Sequence, residues 1–481
     1  MRIIDSEAFQ RLLSVKQLGY AYAVFPGADY SRFSHCVGAC HIMGRWLSTL
    51  ERNGTPLTPA QTELYRLAAL MHDIGHYPFS HATERAARNY YASLKTEPEG
   101  TNNAVEDDRQ LDETDADRSR FLEHEELGAR LVSMDPELRG IITEFGLSIE
   151  ALQRIFQRHE LASYANLLSS DVDADRLDFI RRTAHHTGMP YGQIDQQYLI
   201  TELRLDSENN LCWTEKALSA LDQILIARYF DYQQLVFNKT VVGLELVLER
   251  VVETMLKRKA WDLSLAALKD RVKSHKWIRE DDHHLFHKIR EFETASTTSD
   301  AEKELAKSIL SRNPPRRVYQ LTFIDWQDLE QKFNLFRDRV KLFIPTWVRE
   351  YGIDECLWFV WSKSFRFTEY KWDLQVDDHE SAEEYAKVPR ILKGKTGLSV
   401  PIIKEPQSLM NSLYAKRRYD LRIYVVIAEM ANPRSRRSAS KLKEKIEDEI
   451  RKRVDELDRE TIGTRFASRL PGHVTSEPAL F

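Results

Sequence analysis

The sequence has no long apolar run, no strong excess of either charge and few cysteines. No stretch of its 481 residues approaches 18 consecutive apolar residues, about the length that a membrane-spanning helix needs. The first residues show no signal-peptide pattern. The 69 basic and 74 acidic residues give a net charge of −5, so the chain as a whole attracts neither nucleic acid nor an anionic membrane. We therefore expect a cytoplasmic protein, in which any binding of phosphate groups is local.

The four cysteines are Cys36, Cys40, Cys212 and Cys356, and no two of them form a Cys-x-x-Cys pair. Cys36 and Cys40 lie four residues apart on a predicted helix. This spacing favours small buried residues in a reducing compartment over a disulfide or a zinc site.

Hydrophobic residues make up 42% of the chain and charged residues 30%, a composition typical of a globular protein with a large core. The length exceeds that of one ordinary domain. Helical spacing of apolar residues dominates the first two thirds, so we predict a mainly α-helical core over residues 1–312. Two of its helices should span 34–51 and 61–73. The second should end at His72 and Asp73, because Gly75 and Pro78 follow and break the helix.

Residues 95–120 differ from the rest of this core because they are acidic and almost free of large apolar side chains. Such a composition predicts an exposed or disordered insertion.

An Asn-Pro-Pro sequence at 313–315 marks a boundary. Beyond it, three segments rich in aromatic and branched residues predict strands, at 318–323, 357–361 and 421–426. We therefore predict a smaller α+β lobe over 313–481. Residues 440–460 predict a helix with one narrow apolar stripe, which should seat against a lobe or a subunit.

The most informative motif is His-Asp-Ile-Gly-His at 72–76, together with His35 before it and Asp175 after it. A histidine, an adjacent His-Asp pair and a distant aspartate can hold one divalent metal ion with open positions. We predict that His35, His72, Asp73 and Asp175 are the ligands, and that the ion is manganese, iron, magnesium or zinc. For the last ligand, neighbouring carboxylates are the alternatives: Asp171, Asp173 and Asp178.

A metal centre of this kind activates water for attack on phosphorus, and the leaving oxygen then needs a proton. Histidine has a suitable pKa, and His76, His81 and His124 are the candidates. The alternative for His76 and His81 is that they are hydrogen-bonded structural residues.

This order of motifs resembles the HD-domain deoxynucleoside triphosphate triphosphohydrolases, although no segment resembles a SAM domain. The likeness covers about the first 240 residues. It rests on Arg-Ile-Ile-Asp (2–5), Lys-Gln-Leu-Gly (16–19), Val-Phe-Pro-Gly-Ala (24–28), Arg-Phe-Ser-His (32–35), His-Asp-Ile-Gly-His, Pro-Phe-Ser-His (78–81), Asp-Ala-Asp-Arg-Leu-Asp-Phe (173–179) and His-His-Thr-Gly (185–188).

The resemblance implies roles for further residues. His76 and His124 would line the site beside the α-phosphate, His81 would be the general acid, and Glu84 would orient His124. Cationic and polar side chains would bind the substrate: Arg32, Arg176, Arg228, Lys239 and Tyr232. Lys239 matches a lysine that binds a regulatory nucleotide in the best-known relative, so its role is either catalytic or allosteric. Gln17 and Leu18 match the pair that reads the sugar, where an apolar side chain would exclude a ribose hydroxyl.

The chain departs from the family pattern around the sugar and the base, at Phe179, Thr183, Tyr232 and Val236. The preferred base is therefore open.

Asp5 and Gln10 match residues that recognise an activating guanine nucleotide between subunits, but Leu13 replaces the matching arginine. A different activating nucleotide, or none, is expected. The resemblance also implies a homo-oligomer, either a dimer or a tetramer.

The leading hypothesis is a metal-dependent hydrolase that cleaves dNTPs to deoxynucleoside and triphosphate. One alternative is an HD phosphohydrolase acting on nucleoside monophosphates, cyclic nucleotides or guanosine alarmones. The other is a non-catalytic nucleotide-sensing or nucleic-acid-binding module, in which the basic cluster at 434–437 could contact phosphates. The alternative for this cluster is a solvated loop and the start of a helix, because acidic residues follow it. We expect neither nucleic-acid nor membrane binding. Balancing of nucleotide pools and defence against phage are both open as biological roles.

Overall fold

The computed structural model describes residues 2–94, 122–156, 165–325, 329–368, 387–394, 397–427 and 433–461. The predicted acidic insertion at 95–120 lies outside these residues, as do the side chains of the basic cluster at 434–437. The chain divides into two compact units: unit 1, Met1–Ser296 with Phe367–Tyr414, and unit 2, Thr297–Arg366 with Ala415–Phe481. The sequence predicted a single boundary after residue 312, whereas these units divide after 296 and the chain returns to unit 1 at 367.

Unit 1 is mainly helical. Its helices are α1 (Arg2–Asp5), α2 (Glu7–Gln10), α3 (Arg32–Arg52), α4 (Pro59–Met71), α5 (His81–Ser93), α6 (His124–Met134), α7 (Pro136–Glu144), α8 (Ile149–Phe156), α9 (Ala174–Thr187), α10 (Gln196–Thr201), α11 (Leu218–Asp231), α12 (Lys239–Lys257), α13 (Leu265–Lys273) and α14 (Asp282–Thr294). The segment that returns at 367 adds a short helix after two strands, Leu409–Leu413.

Local sequence explains where α3 and α4 begin. The hydroxyl of Ser31 accepts a hydrogen bond from the backbone N–H of Ser34 and caps α3. Thr58 and Gln61 form a reciprocal capping box at the start of α4, whose first residue is a proline, the favoured position for that residue. The helices pack along a face that includes the fully buried Trp46.

A small sheet lies beside these helices in unit 1. It consists of β1 (Leu203–Leu205), β2 (Leu211–Thr214), and two strands from the returning segment, Arg390–Leu392 and Ser399–Pro401. Arg390–Leu392 pairs in parallel with β2, with Trp213 opposite Ile391. This pairing joins the returning segment to unit 1.

Unit 2 contains an antiparallel sheet in the order β3 (Arg316–Asp325), β7 (Arg417–Val425) and β4 (Trp358–Arg366), so that the last strand in sequence is central. The labels β5 and β6 belong to the two strands of the returning segment in unit 1, Arg390–Leu392 and Ser399–Pro401. One face of the sheet packs on a core with helices. The helices of unit 2 are α15 (Asp300–Leu310), α16 (Glu330–Lys341), α17 (Ile344–Tyr351) and α19 (Pro433–Thr461), and those that contribute to this core are α16, α17 and α19. Leu409–Leu413, in unit 1, is α18.

Helix α19 contributes the apolar stripe that the sequence predicted. Ile446, Ile450 and Val454 are fully buried in the core of unit 2, so the stripe seats against its own lobe. The predicted mainly α fold, with a helical core and a smaller α+β lobe formed by the C-terminal part of the chain, is confirmed. Within the described part of the chain, no helix combines the length and the apolarity needed to span a bilayer.

Candidate metal centre and histidine cluster

Three separate segments of unit 1 bring together His35, His72 and Asp175. His35 lies in the first turn of α3, His72 is the residue at which α4 ends, and Asp175 lies in the first turn of α9. One ligand atom from each residue lies within 4.8 Å of the other two. Helix ends are rigid supports, so these side chains are held without help from a mobile loop.

The chemistry of these three donors fits a divalent ion. The Nδ1 of His35 donates to Asp178 at 2.8 Å, and the Nδ1 of His72 donates to the carbonyl of Ala69 at 2.9 Å. Both Nε2 atoms therefore offer lone pairs, and they lie 3.3 Å apart. The nearer carboxylate oxygen of Asp175 is 2.9 Å from His35 Nε2 and 3.7 Å from His72 Nε2. Ligands of one ion lie about 3 Å apart.

Converging lone pairs need a cation between them. Burial alone would lower the pKa of His35, but its bonds to Asp175 and Asp178 raise the pKa to about 10. A proton can thus occupy the place that a metal ion would take. The side chain of Asp175 is one third exposed, which leaves one side of the group open to solvent.

Asp73 lies beside this group rather than within it. Its carboxylate forms a buried ion pair with Arg32, and its two oxygens lie 3.4 Å from His72 Nε2 and 3.8 Å from His35 Nε2. Burial would raise the pKa of Asp73, but the charges of Arg32, His72 and His76, with the hydrogen bond to His76, together lower it well below the usual range. Asp73 as a direct ligand remains a prediction.

Arg32 was predicted to bind phosphate, a role that stays a prediction, and in the structure it contacts neighbouring protein groups. Its guanidinium contacts Asp73, donates from Nε to the hydroxyl of Ser80 at 2.9 Å, and donates to the carbonyl of Gln17 at 3.3 Å. The residue is only 2% exposed. Its present contacts therefore support the metal group and the loop before α5.

Asp178, one of the alternative ligands, instead holds His35 in place. While one oxygen accepts from the imidazole, both oxygens accept from Arg182 at 2.8 Å. A carboxylate on the far nitrogen of a metal-binding histidine fixes its tautomer and orientation.

Asp171, another of the alternatives, pairs with two of the predicted phosphate-binding arginines. The same buried oxygen accepts from Arg228 at 2.9 Å and from Arg176 at 3.2 Å. Asp173, the third alternative, caps α9 by accepting from the backbone of Arg176. In the described part of the chain, only Asp175 of the four aspartates joins the two imidazoles as a candidate metal ligand.

A second cluster contains His76, His81, Glu84 and His124. One oxygen of Glu84 accepts from the Nδ1 of His124 at 3.0 Å and from the Nδ1 of His81 at 3.2 Å. Burial would raise the pKa of Glu84, but these two bonds lower it. The Nε2 atoms of both imidazoles are thus left for other partners, and the side chain of His81 is 57% exposed.

His76 connects the cluster to the metal group. Its ring stacks on His124 at 3.8 Å between centroids, and its Nε2 lies 3.2 Å from Asp73. Burial, followed by the charge of Arg32, lowers the pKa of His76 well below its usual range. A neutral His76 donates to Asp73 and keeps a lone pair on Nδ1, a buried atom without a hydrogen-bond partner among the described residues.

The remaining predicted substrate residues lie in three further places. Gln17 and Leu18 belong to the segment just before the turn at Gly19, where Leu18 packs on a small cluster with Leu235 and Val241. Lys239 is exposed as the first residue of α12. Tyr232 lies beside Arg228, with 6.0 Å from the guanidinium carbon to the ring centroid.

The departures from the family pattern also have a place in the structure. Thr183 is buried and shares a hydrogen bond of 2.7 Å with the hydroxyl of Tyr30. Phe179 packs on the main core of unit 1, and Val236 joins the cluster around Leu18.

The predicted activator residues Asp5 and Gln10 lie on α1 and α2. Asp5 is exposed. The side-chain amide of Gln10 donates to the carbonyl of Ile4 at 2.7 Å, and Leu13 is 48% exposed. Their role in activation stays a prediction.

Sequence reasoning missed the supporting carboxylates. Asp178 and Asp171 were seen only as alternative ligands. Asp282, which accepts hydrogen bonds from the backbone N–H groups of Phe79 and Lys16, was not considered. The spacing of Asp175, Asp178 and Arg182 along one helix was a usable signal for the first of them, because residues three and four apart share a helix face.

Comparison with known proteins agrees with this geometry. The model of the HD domain family matches residues 32–183, a range that contains all three members of the metal group. Residues 32–183 of the chain therefore carry an HD domain.

Relatives extend the likeness. The uncharacterised protein YwfO of Bacillus subtilis is 24% identical over 432 residues, 88% of this chain and 87% of that protein. The Dictyostelium discoideum deoxynucleoside triphosphate triphosphohydrolase SAMHD1 homologue is 28% identical over 254 residues, 52% of this chain and 45% of that protein. This chain thus covers less than half of the Dictyostelium protein.

The crystal structure of a phosphohydrolase from Bacteroides thetaiotaomicron superposes with a TM-score of 0.61 at 21% identity. The match covers 88% of this chain and 94% of that one. At this identity the likeness shows a shared fold.

Proposed function

We propose that this HD-domain protein is a metal-dependent hydrolase that cleaves a deoxynucleoside triphosphate into deoxynucleoside and triphosphate. The observation that carries the proposal is the position of Asp73, whose one carboxylate oxygen lies 3.4 Å from His72 and 3.2 Å from His76. This position supports the proposal because it joins the three candidate metal ligands to a histidine cluster suited to proton transfer.

His35, His72 and Asp175, with Asp73 beside them, would hold the divalent ion. Such an ion supplies Lewis acidity, which makes water a stronger nucleophile at neutral pH and polarises a phosphoryl oxygen. Asp178 and Arg182 keep the imidazole of His35 in the tautomer that offers Nε2. The exposed side of Asp175 provides access for substrate.

His81 is the best candidate for the proton donor to the leaving oxygen. Glu84 accepts from its Nδ1, so Nε2 faces away from Glu84, and the ring is the most exposed of the three in the cluster. His124, bound to the same carboxylate oxygen, and the stacked His76 fix the position of the acid. Protonation of a leaving alkoxide typically contributes 10²–10⁴-fold to rate.

The choice of substrate rests on two further supports. Arg176, Arg228 and Lys239 supply cations for a chain of phosphates, and Gln17 with Leu18 would read a deoxyribose. The activity in the name of the Dictyostelium relative, a deoxynucleoside triphosphate triphosphohydrolase homologue, supports the same choice for this chain.

One observation favours a second candidate, a phosphohydrolase that acts on a less charged phosphate ester. Arg32 is paired with Asp73, and Arg176 and Arg228 share Asp171. Because these carboxylates offset part of the positive charge, a nucleoside monophosphate, a cyclic nucleotide or an alarmone is the alternative substrate.

Product analysis separates the two. The purified protein, loaded with manganese or iron, is incubated with each of the four dNTPs and NTPs, with each nucleotide also tried as an activator. We expect deoxynucleoside and triphosphate on chromatography, with dNTPs cleaved faster than NTPs. Release of orthophosphate or pyrophosphate would favour the second candidate, and no turnover of any nucleotide would leave the sensing hypothesis.

A matched pair of variants tests the metal group. His72→Ala should lower kcat by at least 100-fold and remove bound metal, because it deletes one of the three converging donors. His41→Ala, on the exposed face of α3, should keep both. Full turnover by His72→Ala would contradict the proposed centre.

A further inference from the structure

The backbone immediately before His81 has an unusual conformation. Phe79 and Ser80 have φ values of 53° and 56°, and Ser80, with ψ of −124°, is the residue that precedes α5. Non-glycine residues rarely adopt such conformations, and they persist only where their surroundings hold them. Since His81 is the first residue of α5, this turn sets the position of its imidazole.

Asp282 holds this turn from a distant part of the chain. One carboxylate oxygen accepts from the backbone N–H of Phe79 at 2.7 Å, and the other accepts from the backbone N–H of Lys16 at 3.0 Å. The residue is 4% exposed. One buried carboxylate thus joins the turn before His81 to the segment that leads into Gln17 and Leu18.

A second connection links the same two segments. The hydroxyl of Ser80 donates to the carbonyl of Lys16 at 3.1 Å and accepts from the Nε of Arg32. Arg32 in turn contacts Asp73 and the carbonyl of Gln17. One network of hydrogen bonds therefore connects the turn at 79–80, the segment 16–18 and Asp73, which lies beside the candidate metal ligands.

Helix capping does not account for Asp282. The preceding residue, Asp281, caps α14, because its side chain accepts from the backbone N–H of His284 at 2.8 Å. The carboxylate of Asp282 is directed to Phe79 and Lys16 instead. Two adjacent aspartates at the start of one helix thus bind different groups. A variant of Asp281 can therefore serve as the control for a variant of Asp282.

We infer that Asp282 is a positioning residue. It holds the proton donor His81 at a fixed position relative to the sugar-reading segment at Gln17 and Leu18. The inference rests on the proposed function, because His81 and Gln17 have these roles only in that reaction. Asp282 touches neither substrate nor metal in this account, and it acts through the two backbone N–H groups that it binds.

The test compares Asp282→Asn with Asp281→Asn. Asparagine keeps the shape of the side chain, but it can accept only through its single oxygen, so one of the two backbone bonds is lost. We expect Asp282→Asn to bind metal in wild-type amount and to lose about 10- to 100-fold in kcat, the usual effect of a misplaced catalytic group. Asp281→Asn should retain wild-type kcat.

A double mutant distinguishes positioning from a general structural role. If Asp282 acts through His81, adding Asp282→Asn to His81→Ala should cost little further rate, whereas independent effects would multiply. Multiplied losses, loss of metal from Asp282→Asn, or equal losses in the two aspartate variants would overturn the inference.

Hydrogen exchange provides a readout that does not depend on substrate. In Asp282→Asn, the peptides that contain Phe79 and Lys16 should exchange faster than in the wild type and in Asp281→Asn. Unchanged exchange would overturn the inference. If the wild type cleaves no dNTP, the proposed function fails, and this measurement alone decides whether Asp282 joins the two segments.

Ser80→Ala covers the case in which Asp282→Asn does not fold. It removes the hydroxyl that joins the turn to Lys16 and leaves Asp282 intact. Faster exchange at Lys16 with bound metal retained supports the network, and wild-type exchange together with wild-type kcat contradicts it.

Discussion

A single histidine shows how much of the candidate site depends on residues behind it. His35 can offer Nε2 to a metal ion only while its Nδ1 carries the proton, and Asp178 fixes that proton by accepting it. Asp178 is itself held by Arg182. The space for this pair exists because residue 38 has no side chain: a Cβ there would lie 1.9 Å from an oxygen of Asp178.

Gly38→Ala should therefore weaken the metal group without touching a ligand. The added methyl group displaces Asp178 from His35, and loss of such a supporting carboxylate typically costs 10- to 100-fold in metal affinity or activity. The measurement is metal content after dialysis against a graded series of chelator concentrations. Gly44→Ala on the same helix is the control, since its Cβ would meet only the side chain of Arg66 at 3.2 Å. Equal metal retention by the two variants would contradict the role of Asp178.

At this scale the sequence could predict the types of ligand but not their partners. His35, His72 and Asp175 meet as expected, while their metal-binding role stays a prediction. Four aspartates between 171 and 178 looked alike in sequence. They differ because Asp171 meets Arg228 from α11 and Asp178 meets His35 from α3, and such encounters depend on the tertiary fold.

At the scale of helices and strands, the pattern of apolar residues in the sequence predicted the long elements and missed the short ones. The predicted helices at 34–51 and 61–73 correspond to α3 and α4, and the three predicted strands correspond to β3, β4 and β7. The strands of the small sheet in unit 1 escaped notice. They are only three or four residues long, too short for an alternating pattern to develop.

The loop after α4 shows a similar limit. Sequence analysis treated Gly75 as a helix breaker, but its structural role is close packing. A Cβ at this position would lie 2.1 Å from the carbonyl oxygen of His124 and 2.4 Å from the backbone nitrogen of Gly128. The loop that carries His72 and His76 thus lies directly on the backbone of α6, which carries His124.

The same substitution should therefore have opposite effects at two glycines. Gly75→Ala forces the loop away from α6, so we expect a lower melting temperature and at least a 10-fold lower kcat. Gly140→Ala lies within α7 with open space around its Cβ, and it should stabilise by about 0.5–1 kcal/mol because alanine favours helix. Thermal unfolding and kcat measure both. A Gly75→Ala variant as stable as the wild type would contradict the close packing.

At the scale of the whole molecule, the path of the chain was the least predictable feature. Asn-Pro-Pro at 313–315 predicted one boundary, but residues 367–414 belong with unit 1. The pairing that brings them back joins Trp213 to Ile391. No local pattern reports a contact between residues so far apart, since propensity and periodicity describe only neighbours along the chain.

The division into two units predicts which part of the chain a bound metal ion stabilises. The three donors of the metal group come from α3, the end of α4 and α9, all within unit 1, and a bound ion would cross-link these elements. A ligand that binds only the folded state stabilises it according to its concentration and affinity. Removal of the ion should therefore loosen unit 1, whereas the core of unit 2 around Ile446 and Ile450 has none of these donors.

Hydrogen exchange before and after chelation tests this expectation peptide by peptide. Peptides from α3, α4 and α9 should exchange faster in the chelated protein, and peptides from β3, β7 and α19 should be unchanged. His72→Ala provides the control, because a variant that has already lost its ion should not respond to chelator. Faster exchange in unit 2 alone, or an equal response in His72→Ala, would mean that the ion binds outside the group formed by His35, His72 and Asp175.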